Sequence, residues 1–177
     1  MSYPSGTLGF MDIVIRQAEP GEYETIGEIT AQAYLQDGFL TFGGEDDWYF
    51  AELKDVAKRA ADAEVLVAVH QDRILGGVTY VPDPGPMSDL AGPGEAEIRM
   101  LAVTQAARGR GAGEALVRAC VDRARRAGRT RVVLCTQPAM TAAHRLYERQ
   151  GFARRPDRDW QPIPGHDFTL LAYELTL

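Results

Sequence analysis

Apolar and polar positions along this chain repeat with two periods, and each change of period marks an element. Residues 12–16 read as a short strand. Behind Pro20-Gly21, the residues Tyr23, Ile26, Ile29, Thr30 and Ala33 recur at helical spacing. After a loop at 37–44, Glu45-Asp46-Asp47 opens a second helix predicted to run to about residue 62. Acidic side chains in a first turn complement the helix dipole, so their simplest reading is capping. Segments 64–70 and 73–81 form a hairpin joined at Gln71-Asp72; both are apolar on both faces, as central strands of a covered sheet are. Residues 82–94 hold Pro82, Pro84, Pro86 and Pro93 and predict a surface loop. A strand at 95–104 and a helix at 111–127 follow, the helix stopped by Gly128. Then come a strand at 131–136, a helix at 139–150 stopped by Gly151, a short strand at 153–154, a loop at 157–166 and a last strand at 167–176. This is one mixed α/β domain over 12–177, behind a loose tail at 1–11.

Composition narrows the picture. A chain of 177 residues with 45% apolar content can bury a real core. The net charge of −6 argues against nucleic acid as the main partner, although arginines cluster between 108 and 131. Cys120 falls on an apolar helix stripe and Cys135 ends a strand; both read as small buried hydrophobes, with neither a disulfide scaffold nor metal-ligand spacing. No metal is expected. The start lacks a basic region followed by an apolar core, and no apolar run approaches the ~18 residues of a membrane span, so a cytoplasmic setting is expected.

Chemistry concentrates in Arg108-Gly109-Arg110-Gly111-Ala112-Gly113. An apolar strand, Glu97-Ile98-Arg99-Met100-Leu101-Ala102-Val103, runs into this glycine-rich basic turn, and a helix begins there. A new helix N-terminus presents unpaired N–H groups and partial positive charge, glycines admit an anion close to the backbone, and arginines add charge. The competing reading is a tight turn beside solvated arginines. A P-loop is excluded because no Gly-Lys-Ser/Thr is present, and the glycine spacing is not that of a dinucleotide-binding fingerprint.

The turn resembles the acyl-CoA motif Q/R-x-x-G-x-G/A of the GNAT N-acetyltransferase superfamily. Residues 96–103 resemble the family's strand before the loop, and Ala143-His144-Arg145-Leu146-Tyr147-Glu148-Arg149-Gln150-Gly151-Phe152 resembles its A-x-x-L-Y-E-x-x-G-F block. The resemblance covers the second half of the chain. It implies the GNAT fold: a mixed central sheet of six to seven strands, flanked by about four helices and splayed between the fourth and fifth strands. It implies acetyl-CoA as co-substrate, its pyrophosphate on the N–H groups of Arg108, Gly109, Arg110, Gly111, Ala112 and Gly113. The pantetheine arm would lie along Leu101, Ala102 and Val103. It makes Tyr147 the proton donor to the departing thiolate and puts Glu97 where several members carry a general base. Arg99, on the same strand face until a bulge interrupts, offers Glu97 an ion pair instead. Two departures stand out: Thr104-Gln105 follows the strand in place of Val-x-Pro, and Met140 stands where the family often has Asn. His144 reads as a solvent or capping residue.

The implied activity is acetyl transfer to a primary amine of a small molecule, peptide or protein by direct attack in a ternary complex. A non-catalytic acyl-CoA-binding protein on the same scaffold is the alternative, and a homodimer is left open. In this fold the acceptor site is built from the first helices and the late hairpin. Here these carry Trp48, Asp46, Asp47 and Trp160, among further aromatics (Phe39, Phe42, Tyr49, Phe50, Phe168) and Asp37. Aromatics beside carboxylates suit a cationic amine; core packing and helix capping are the simpler reading.

Overall fold

Two hairpin strands, β2 (Glu64–His70) and β3 (Arg73–Val81), set the layering, because both of their faces are buried. Leu66 and Ala68 point to one side of β2, Val65 and Val67 to the other, as strand periodicity requires. The computed structural model describes residues 12–40 and 42–177; the expected tail at 1–11 lies outside them. Seven strands form one sheet in the order β1-β2-β3-β4-β5-β7-β6, completed by β1 (Val14–Gln17), β4 (Glu95–Val103), β5 (Arg131–Thr136), β6 (Ala153–Arg154) and β7 (Leu171–Thr176). Neighbours pair antiparallel except β4 and β5, which run parallel.

Helix α4 (Ala112–Arg126) covers one face. Its stripe of Leu116, Val117, Cys120, Val121 and Ala124 packs against Leu66, Val78, Tyr80 and Ile98. The Tyr147 of α5 (Thr141–Arg149) joins the same cluster. On the other face α1 (Tyr23–Gln36), α2 (Trp48–Lys54) and α3 (Val56–Asp62) bury Ile26, Val56 and Leu53. The second helix, expected to be continuous, is two. Asp55 ends α2 and caps α3, its carboxylate accepting the Lys58 N–H at 3.1 Å. The buried Arg59 guanidinium donates to the carbonyls of Glu52 (2.8 Å) and Leu53 (3.0 Å), satisfying the end of α2. The chain therefore has five α-helices among its described residues rather than about four. The last strand begins at Leu171, and Trp160 bridges Leu170 ahead of it.

β4 carries a bulge. Arg99 pairs with Thr79 and Ala102 with Gly77, so Met100 and Leu101 together face Val78. Met100 has φ of +53°. The extra residue exchanges the faces: Ala96 and Ile98 point toward α4, Met100 points toward α1 and α2, and Leu101 and Val103 point toward α4 again. Leu101 and Val103 thus leave the face of Glu97 and Arg99. Gly76 accommodates the kink, since a Cβ there would run into the Ala102 carbonyl oxygen. Past the bulge β4 stays with β3, while β5 stays with β7. The β4–β5 ladder spans only Glu95–Arg131 to Ile98–Leu134, and the two strands part beyond it.

The other end of that ladder is closed by charge. Glu95, 7% exposed in its side chain, accepts Arg158 Nη2 and Nη1 at 2.8 and 2.9 Å and the Gly92 N–H at 2.8 Å. Glu174 of β7 pairs with Arg155 at 2.7 Å and Arg158 at 3.1 Å. The Arg158 hydrogen bonds hold the Glu95 carboxyl below its usual range. A depressed carboxylate stabilises the fold above its unfolded pKa, and that contribution is lost as pH falls through the folded value. Glu95→Gln should therefore cost about 1.5–3 kcal/mol at pH 7. In urea titrations the gap to wild type should close at pH below the usual carboxylate range.

Candidate functional site

Where β4 and β5 part, a cavity of about 760 Å³ opens. Leu101, Ala102 and Val103 form one wall, α5 with Leu146 and Tyr147 another, and the turn before α4 closes one end. Gly109 and Gly111 have φ of +74° and +87°, a region L side chains seldom enter, and Gly111 is the N-cap of α4. The 15-residue helix α4 directs its free N–H groups at this end. Gly109, Gly111, Ala112, Gly113 and Arg108 line the cavity. Arg110 is exposed and is not part of the lining. Arg108 is engaged: its guanidinium holds Asp37 at 3.1 and 2.7 Å, fastening the end of α1 to the turn. Asp37, expected on the acceptor side, belongs to this end.

Tyr147 is 6% exposed, its ring packed on Phe152 and Tyr173 at 5.9 and 6.1 Å. Burial pushes its hydroxyl well up, so at neutral pH it carries its proton. His144 Nε2 lies 3.0 Å from the Gln137 carbonyl.

A second cavity, about 350 Å³, adjoins the first, and Phe39, Ile98, Arg99, Met100, Cys135 and Met140 form a stretch of wall shared by both. Trp48 (60% exposed), Tyr49, Phe42, Trp160 and Phe168 surround it. Trp48 and Trp160 thus come together from distant segments. Of the two acidic candidates, Asp47 lines this cavity with them and Asp46 does not. Asp46 sits exposed in the turn Gly44–Asp46 and lines neither cavity. Asp47 spends its carboxylate on the amides of Tyr49 (2.9 Å) and Phe42 (3.1 Å), the capping role that acids at a helix start commonly take. Cys135, expected to be buried filler, is half-buried on the shared wall and accepts Trp160 Nε1 at 3.3 Å. Burial pushes its thiol up to about 12, so it stays neutral.

The expected Glu97–Arg99 ion pair is not formed. Glu97, 1% exposed, accepts the amides of Asp89 (2.9 Å), Leu90 (2.8 Å) and Ala91 (2.7 Å). Burial pushes this carboxyl up, and the three amides pull part of the way back. Arg99 turns instead to Asp89 at 3.1 Å and to the Met87 carbonyl at 2.8 Å. Loop 82–94 is therefore only partly superficial: Met87 is buried, and the loop is folded down on Glu97. Sequence reasoning missed Asp89 altogether. The signal for an inward loop was present, since a carboxylate and a guanidinium in an apolar strand need partners from outside it.

The model of the Acetyltransferase (GNAT) family matches residues 27–152. No curated protein matches in sequence. Solved structures do match in fold. The ribosomal-protein-alanine N-acetyltransferase from Brucella melitensis aligns with a TM-score of 0.70 at 20% identity, over 93% of this chain and 99% of that one. Salmonella typhimurium yncA, a putative acetyltransferase solved with its cofactor acetyl-CoA, gives 0.69 at 22%, over 93% and 94%. A GCN5-related N-acetyltransferase from Kribbella flavida gives 0.66 at 24%, over 93% and 98%.

Glu97→Gln separates a loop-holding role from a base. The amide keeps one acceptor oxygen but turns an NH₂ toward donors. Stability should fall by about 1–3 kcal/mol, and the amides of 89–91 should exchange faster by hydrogen-exchange mass spectrometry. Unchanged protection, with activity lost at neutral pH and regained at high pH, would make Glu97 the base.

Proposed function

The chain belongs to the GNAT family of acetyltransferases, and on that premise we propose that it moves an acetyl group from acetyl-CoA to a primary amine by direct attack, both substrates bound together. One observation carries this reading: two cavities with different linings adjoin and share the residues where β4 and β5 part. A protein that only bound acyl-CoA would have no use for the second.

The first cavity fits a CoA thioester. Its glycine turn and helix N-terminus suit a pyrophosphate. The edge of β4 past the bulge is unpaired toward β5, so its backbone groups are open to an extended, amide-bearing arm. Acetyl-CoA seen with yncA supports the same assignment here. Bound acetyl-CoA supplies the activated acyl group. The chain holds it beside the shared wall, and Tyr147 gives a proton to the sulfur as the C–S bond breaks. The second cavity takes the amine between Trp48 and Trp160, with Asp46 and Asp47 left to the helix start. The free thiols of Cys120 and Cys135 support a reducing, cytoplasmic setting.

Incubation with acetyl-CoA and a panel of amines and peptides, read by mass spectrometry, tests the activity; no acetylated product from any amine would sink it. Gly111→Glu puts a carboxylate at the anion cradle and should remove acetyl-CoA binding by calorimetry. Tyr147→Phe keeps the ring and loses the donor. Its kcat should fall by about 10²–10⁴ with little change in acetyl-CoA affinity.

A further inference from the structure

An alkylamine is almost wholly protonated at pH 7, so a transferase must take a proton from it before the nitrogen can attack. Four carboxylates line the second cavity: Asp47, Glu52, Asp89 and Glu97. Three are committed elsewhere. Asp47 uses both oxygens, one capping α2 at the Tyr49 amide and the other accepting the Phe42 amide of the preceding loop. Glu52 holds Lys58 Nζ with both, at 3.0 and 3.1 Å. Glu97 is enclosed by the amides of Asp89, Leu90 and Ala91.

Asp89 differs. Its Oδ2 lies 3.1 Å from Arg99 Nη2, and among the described residues its Oδ1 has no hydrogen-bond partner. Its side chain is 32% exposed, open enough to pass a proton to water. Its backbone is fixed from behind, because its own N–H is held by Glu97 at 2.9 Å. Among the described residues Arg99 is the only cation lining the cavity, and it is occupied by Asp89 and the Met87 carbonyl. The field inside therefore favours a cation. Trp48, Tyr49 and Trp160 around it favour an apolar or aromatic body behind that cation.

We propose that Asp89 receives the ammonium group of an arylalkyl primary amine in the second cavity and accepts its proton. This rests on the acetyl-transfer reading above. An N–H bond breaks and an O–H bond forms on Asp89. The nitrogen uses the freed pair to form the C–N bond while C–S breaks. Tyr147 protonates the sulfur and is reprotonated by the second proton leaving nitrogen. Asp89 then loses its proton to water, and one proton is released per amide formed.

The groups facing Asp89 are Arg99 and Glu97 on β4, Tyr49 on α2 and Cys135 on β5. Arg99 favours the ionised form and Glu97 opposes it. Tyr49 and Cys135 are neutral because burial raises both. The net effect of burial is to lift the Asp89 carboxyl above the usual aspartate range, which makes it a better proton acceptor.

The test uses phenethylamine and its neutral counterpart 2-phenylethanol, titrated calorimetrically into the protein saturated with coenzyme A. Phenethylamine affinity should fall at least tenfold in Asp89→Asn, with 2-phenylethanol unaffected. For any amine that is turned over, kcat/KM of Asp89→Asn should fall roughly 10²-fold at pH 7, the gap narrowing toward pH 10 as free amine accumulates. A structural role would lower both probes alike and leave the pH profile's shape intact. No saturable binding of phenethylamine to wild type, or equal affinity in the variant, overturns the proposal. If Asp89→Asn does not fold, the wild type decides: phenethylamine binding should weaken between pH 7 and pH 4 while 2-phenylethanol binding holds, and parallel behaviour of the two overturns it. Asp89-dependent ammonium binding without acetylation of any amine would instead sink the transferase reading and leave the amine site standing.

Discussion

At Met100 the backbone of β4 enters a region that costs an L residue about 1–3 kcal/mol, and the surrounding packing holds it there. Met100 is buried with Ala31, Leu40 and Leu53, and the strand beyond it is received by Gly76, where no Cβ obstructs the Ala102 carbonyl. Everything functional hangs from that kink. It parts β4 from β5 after four paired residues and leaves β4 with an unpaired edge. It also exchanges the strand's faces, so that Glu97 serves the second cavity, Leu101 and Val103 serve the first, and Arg99 borders both.

The cleft is held open by cross-links of modest individual strength. Arg108 grips Asp37 at the end of α1, and Gln137 Nε2 donates to the Phe39 carbonyl at 3.0 Å. The segment around 37–39 is thereby tied to the turn before α4 on one side and to the turn after β5 on the other. Both ties are polar and one is partly solvated, so binding of an anion at the turn would compete directly with Asp37 for Arg108.

Division of labour among the carboxylates follows from burial. Glu95 and Glu97 are deeply buried and each meets several donors, so both are spent on shaping the chain between β3 and β4. Asp47 is spent on a helix end. Taking a proton would weaken the bonds that place a carboxylate used in this way. Asp89 has a single ionic neighbour at 3.1 Å and partial access to water, which separates it from the other three.

Local periodicity and turn chemistry were sufficient for the sheet's strands and for the helices that bury one stripe. The hairpin at 64–81 and the strand at 131–136 stand where the pattern placed them, because short runs apolar on both faces and bounded by turn residues suit the centre of a covered sheet. The glycine turn was equally legible, since positive φ at Gly109 and Gly111 is written into residue type. Pairing was not legible. Asp55 as a helix break, Arg108 with Asp37, Arg99 with Asp89, and Glu97 with three amides each join a side chain to a partner chosen by the closed fold. In sequence every one of these side chains has several acceptable partners at similar cost. Only the tertiary structure decides among them: it buries Glu97 and most of Arg99, where an unmet hydrogen bond is expensive, and it brings Arg108 within reach of Asp37.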